Sequence, residues 1–119
     1  MPDNTTAQTA AEFPEIVCLC GSTRFMDAYN DARKSLTLQG KIVLSVEIVT
    51  YDQATDPQIH DPETKRMLDE LHLRKIDLAD RVHILNVPTD EMPHGYIGES
   101  TANEIAYAKE QGKVITWLT

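Results

Sequence analysis

With 119 residues, 41% hydrophobic and 25% charged, the chain has the size and balance of one globular domain with its own core. A net charge of −8 argues against a nucleic-acid polymer or an anionic membrane as partner, although local N–H groups can still hold a small anion. No apolar run approaches the roughly 20 residues of a membrane span, and no basic-then-apolar leader opens the chain, so a cytoplasmic location is expected.

Residues 1–12 are small and polar and read as a tail ahead of a single α/β domain over 13–119. Ile16-Val17-Cys18-Leu19-Cys20 is apolar on both faces and stops at Gly21, the pattern of a central strand in a parallel sheet. Cys18 and Cys20 are the only cysteines, and strand alternation puts both on one face. That spacing is too tight for a relaxed disulfide, and no histidine adjoins them to complete a zinc site. Reduced core cysteines are expected, in keeping with a cytoplasmic protein. Phe25, Ala28, Tyr29, Ala32 and Leu36 then recur at helical spacing over 24–39, with Gly40 as the stop.

Ile42-Val43-Leu44-Ser45-Val46 is a second buried strand, closing a βαβ unit. The polar stretch 47–60 is long enough to be a substrate-contacting loop. Pro62 opens a helix running to about 79, and 81–86 (with Val82, Ile84 and Leu85) is a third strand. A loop carrying Pro88, Pro93, Gly95 and Gly98 leads to a last helix with Ile105 and Ala108 on its apolar stripe. Val114-Ile115-Thr116-Trp117-Leu118 is a fourth strand. Strands alternating with helices predict a flavodoxin/Rossmann-like three-layer α/β sandwich around a parallel sheet of four or five strands, in the order 2-1-3-4. Its switch point falls between strands 1 and 3. Ligands in such sheets bind at the carboxyl ends of the strands beside the switch, where the loops 21–24 and 86–101 converge.

Both loops carry suitable chemistry. Gly21 permits a tight turn, Ser22 and Thr23 offer hydroxyls, and Arg24 offers a guanidinium fork suited to phosphate. The same residues also describe a plain helix start with an exposed arginine. Ser100 and Thr101 are natural N-caps beside Gly98, and a helix N-terminus there attracts an anion. Glu104 has two readings. It is either the acid of a Thr101-x-x-Glu104 capping box, or a carboxylate poised beside a bound ligand. His60, His83 and His94 show no metal-ligand spacing, so neither a metal nor a cofactor is inferred.

The run Cys20-Gly21-Ser22-x-Arg24, the pair Ala79-Asp80 before strand 3, and Glu104-Ile105-x-Tyr107-Ala108 together resemble the nucleoside 2-deoxyribosyltransferase-like family, closest to its 2'-deoxynucleoside 5'-phosphate N-hydrolases. The resemblance spans about residues 16–118. It implies an N-glycosidase that splits a (deoxy)nucleoside 5'-monophosphate into free base and sugar 5-phosphate. Glu104 is then the nucleophile, and Gly21, Ser22, Thr23, Arg24, Gly98 and Ser100 hold the 5'-phosphate. A deoxyribosyltransferase and a nucleotide-binding module without turnover are the alternatives. The resemblance also implies a homodimer or higher homo-oligomer, in which a neighbour completes the pocket. His72 stands where the family places an aspartate that assists the leaving base. A histidine there is either a proton donor titrating near neutrality or a packed residue sharing its face with Leu68, Ile76 and Ala79. Asp77 and Asp80 are the fallback donors, Asn86 is a candidate for orienting Glu104 or touching substrate, and Glu47 a candidate for a sugar hydroxyl.

Overall fold

The computed structural model describes residues 12–46 and 61–119. The tail 1–11 and the loop 47–60, with Glu47 and His60, lie outside the described residues. The elements run β1 (Ile16–Cys20), α1 (Met26–Leu38), β2 (Ile42–Leu44), α2 (Pro62–Leu78), β3 (Arg81–Ile84), α3 (Glu99–Glu110) and β4 (Val114–Trp117). All strand pairs are parallel, and the order is β2-β1-β3-β4, as the alternation of elements predicted. No helix among the described residues is long and apolar enough to cross a membrane.

Strand alternation divides β1 between two cores. Val17 and Leu19 face α1 and pack with Tyr29, Leu36 and Leu85. Cys18 and Cys20 face α2 and α3 and pack with Ile76, Val82, Ile84, Ile105 and Ala108. The sheet is therefore the middle of three layers, which is why β1 is apolar on both faces. Ile76 is fully buried where α2 meets the sheet, so truncating it to alanine costs about 2–5 kcal/mol.

The elements begin and end somewhat differently from the sequence pattern. Helix α1 starts at Met26 rather than Arg24, because Ser22 closes a turn first. Its hydroxyl accepts from Arg24 N–H at 3.3 Å and its carbonyl accepts from Phe25 N–H at 3.1 Å. Strand β3 stops at Ile84, with Leu85 N–H still donating to Cys20 C=O at 2.8 Å before the chain turns away. Helix α2 has the predicted proline at its first position and Asp61 as N-cap, whose carboxylate accepts from Thr64 N–H at 3.0 Å.

At the amino end of the sheet, Asp80 pins β1 by accepting from Ile16 N–H at 2.9 Å. Beside it Arg81 forks onto Glu15, with Nε–Oε2 at 3.0 Å and Nη2–Oε1 at 3.2 Å, and Lys41 adds a contact at 3.2 Å. The Arg81 and Lys41 charges hold the Glu15 carboxyl down at about 2.

Candidate functional site

The site is built where β1 and β3 end. Gly21 passes so close to β3 that a Cβ on it would lie 3.0 Å from Leu85 Cβ and 3.2 Å from Leu85 O. Only glycine fits that approach without displacement. Tyr29, buried on α1, donates its hydroxyl to Gly21 C=O at 2.7 Å and fixes the turn from below. Ser22 and Thr23 follow, half-buried, and Arg24 emerges exposed. Its guanidinium stacks over the Tyr96 ring at 4.5 Å, and Phe25 meets the same ring edge-on at 5.7 Å. Tyr96 belongs to the second loop, so the two loops named from sequence do meet. A groove of about 360 Å³ beside the turn is lined by Arg24, Phe25, Met26, Asp27, Ala28 and Val87.

Helix α3 begins two to three residues earlier than the N-caps expected at Ser100 or Thr101. Its N-cap is Gly98, with no side-chain cap, and Glu99 is the first helical residue. Ser100 and Thr101 thus lie inside the first turn, Ser100 exposed and Thr101 buried. The capping box of Thr101 and Glu104 is not formed, because Thr101 is not the N-cap. Among the described residues, no side chain caps the start of α3.

Relieved of a capping role, Glu104 faces inward with 17% of its side chain exposed. Its Oε1 lies 4.0 Å from His72 Nε2, reaching across from α3 to α2. Burial pushes the Glu104 carboxyl above its ordinary range, against the opposing pull of His72. Burial also works against a charged His72, but the adjoining Cys18 and Glu104 outweigh it, and the His72 pKa stands above 6.5. A carboxylate and an imidazole that both hold a proton more tightly than usual form a pair suited to proton transfer.

His72 therefore does share its face with Ile76 and Ala79, being only 7% exposed, but it is not simply packed. Its Nε2 also lies 3.4 Å from Cys20 Sγ and 3.8 Å from Cys18 Sγ. The sequence shows no histidine near the cysteines, and the fold supplies one from more than fifty positions away. The ligand atoms of Cys18, Cys20 and His72 all fall within 4.8 Å of one another, a grouping of potential metal ligands that sequence spacing did not indicate. Both cysteines are free and buried. A hydrogen bond from Cys20, aided by His72, draws the Cys18 thiol down to about 6. The same bond and burial push Cys20 well up.

Other candidates have different tasks. The Asn86 amide does not orient Glu104. Its Oδ1 accepts from Leu118 N–H at 3.1 Å and Thr119 N–H at 3.2 Å, and its Nδ2 donates to Thr119 C=O at 3.2 Å. It clamps the end of the chain onto β3. Asp80 sits at the far end of the sheet on Ile16. Asp77 accepts from the Tyr107 hydroxyl at 2.6 Å and pairs with Arg74 at 3.0 Å. Neither fallback acid belongs to the Glu104 site. That Tyr107–Asp77–Arg74 cluster ties α3 to α2 at the surface. His83 is bonded to Thr116 at 2.7 Å on the sheet. Tyr96 was missed because a lone loop aromatic carries no pattern; only its stacking on Arg24 reveals it.

No protein-family model matches this chain, and no curated protein matches it.

Proposed function

We propose that the protein is an N-glycosidase of nucleoside 5'-monophosphates, with Glu104 as nucleophile and His72 as proton donor to the departing base. The observation that carries this reading is the half-buried Glu104 carboxylate beside His72, at the carboxyl ends of β1 and β3 and released from any capping role. The motif resemblance described above supports it independently of that geometry.

In the first step a Glu104 oxygen bonds to the anomeric carbon while the carbon–nitrogen bond breaks. The electron pair of that bond goes to the base, which takes the proton from His72. In the second step water attacks the same carbon, its proton returns to His72, and the Glu104 carboxylate leaves. Base and sugar 5-phosphate are the products, and no redox partner is needed. The uncapped start of α3 with Ser100, together with the Gly21–Arg24 turn, anchors the 5'-phosphate, so that remote binding energy orients the sugar.

A second copy of the chain completes the pocket in this reading. The edge strand β4 leaves Val114 and Trp117 exposed, and Leu118 follows them, an apolar edge that a partner would cover. The test is a time course with single nucleoside monophosphates and no acceptor base. Equimolar free base and sugar 5-phosphate are expected. Base release only when a second base is added would show a transferase, and binding without release from any monophosphate would show a non-catalytic module. A light-scattering mass of one chain at micromolar concentration would rule out the shared pocket.

A further inference from the structure

One nitrogen in this core serves too many partners. His72 Nε2 lies 3.4 Å from Cys20 Sγ, 3.8 Å from Cys18 Sγ and 4.0 Å from Glu104 Oε1. Nε2 offers these three neighbours one N–H or one lone pair, Cys18 Sγ also reaches Leu19 C=O at 3.9 Å, and the surroundings (Ile76, Val82, Ile84, Ile105) are apolar. Polar groups gathered this way in an apolar layer are costly unless something binds them together.

The spacing fits a cation. Zinc–sulfur bonds of about 2.3 Å and zinc–nitrogen bonds of about 2.0–2.1 Å, at tetrahedral angles, put sulfur and nitrogen about 3.6 Å apart. The observed 3.4 and 3.8 Å bracket that edge. The carboxylate is farther out, since a tetrahedral site needs roughly 3.3 Å between nitrogen and oxygen, so Glu104 must close by about 0.7 Å. Alternation on β1 makes the cysteine half of the set rigid, because both thiols project from one strand toward α2.

We propose that Cys18, Cys20 and His72 form a binding site for a soft, tetrahedral divalent cation of the zinc type, with Glu104 as the fourth ligand. The cation replaces the protons now shared in the cluster: each thiol gives one up, and His72 binds through Nε2 with its remaining proton on Nδ1. Glu104, the one ligand with a partly exposed side chain, marks the side from which the cation enters. The binding itself stands apart from the glycosidase reading. If that reading holds, the cation and the sugar compete for Glu104 and His72, and an occupied site is inactive.

The experiment is a cobalt(II) titration of the reduced, chelator-treated full chain. Expected are one equivalent bound per chain, a thiolate-to-cobalt charge-transfer band in the near ultraviolet, visible bands of tetrahedral intensity, and displacement by zinc. Because Cys18 and Cys20 are the only cysteines, any thiolate band comes from them. The double variant C18A/C20A should lose the band, and His72→Gln should weaken binding at least tenfold. Should either variant fail to fold, X-ray absorption of the zinc-loaded wild type decides, with two sulfur neighbours at about 2.3 Å and lighter atoms at about 2.0–2.1 Å expected. No thiolate band at saturating cobalt, or half an equivalent per chain from bridging between molecules, overturns the site. Base release measured in excess chelator tests the glycosidase reading alone. Its absence leaves the cation site standing, and a missing thiolate band leaves the glycosidase standing.

Discussion

His72 Nε2 and Glu104 Oε1 face each other at 4.0 Å across the seam between α2 and α3; burial raises the Glu104 pKa, while Cys18 and Glu104 raise that of His72 against the effect of its burial. Burial raises the Glu104 pKa, so the ionised carboxylate that the mechanism uses is held at a cost in folding stability at neutral pH. Glu104→Gln imitates the neutral form. It should therefore melt at the same temperature as wild type or higher, while base release falls at least about a thousandfold. Calorimetry and a base-release assay on one sample test both halves. A glutamine variant that still turns over would remove Glu104 from the mechanism.

Arg24 presents a different kind of contribution, because its guanidinium lies over the Tyr96 ring, 4.5 Å from the centroid. Arg24→Ala should weaken nucleoside monophosphates by about ten- to a hundredfold, the worth of a charge-assisted phosphate contact, and leave free nucleosides nearly unchanged. Arg24→Lys should recover only part, since lysine keeps the charge but loses both the fork and the stacking. Competition binding with matched nucleotide and nucleoside pairs measures it. Equal losses for both would mean that Arg24 does not meet the phosphate.

Much of this was legible in sequence because it follows local rules. The two-faced apolar run 16–20 announced a central strand, and alternation placed Cys18 and Cys20 on one face, as the shared core shows. Pro62 marked the start of α2. What the sequence hid depends on contacts between distant segments. His72 could be placed on an inward face, but nothing local indicated that the face it meets is the cysteine side of β1. Asn86 looked like a site residue because it ends β3 at the switch, yet its amide is taken by Leu118 and Thr119, which follow more than thirty residues later. Glu104 and Thr101 matched a capping box letter for letter. One residue decided otherwise, since Gly98 took the N-cap and left Thr101 inside the helix.

The Glu15–Arg81 pair adds a pH-dependent contribution to stability. Arg81, then Lys41, holds the Glu15 carboxyl at about 2, below its ordinary 4.5. A lowered folded-state pKa contributes stability above the unfolded value and loses it as pH falls toward the folded one. Glu15→Gln should thus be less stable than wild type at about pH 7 by roughly 1 kcal/mol, a size set by the partial solvent exposure of the pair. The gap should narrow below about 4.5 and close near about 2. Melting curves of both proteins across that range test the sign. A gap that widened in acid would contradict the assignment.

Gly95 offers the most direct steric test of the loop that carries Tyr96. Its φ is +117°, a conformation that side chains rarely adopt, and a Cβ there would lie 2.5 Å from Asn86 Nδ2 and 2.6 Å from Asn86 O. The backbone oxygen cannot step aside, and the amide it would push is the clamp on Leu118 and Thr119. Gly40 supplies the control, with φ +82° and nothing within 4 Å of the added carbon. Gly40→Ala should therefore cost only the left-handed backbone penalty of about 1–2 kcal/mol. Gly95→Ala should cost that and the displacement of Asn86, about 3 kcal/mol or more. Placing Gly95→Ala in an Asn86→Ala background should recover part of the excess, because the Nδ2 contact disappears while the carbonyl contact stays. Denaturant midpoints for wild type, Gly40→Ala, Gly95→Ala, Asn86→Ala and the Gly95→Ala/Asn86→Ala double variant decide it. Equal costs at Gly95 and Gly40 would show that the loop yields freely and that the Asn86 clamp does not depend on it.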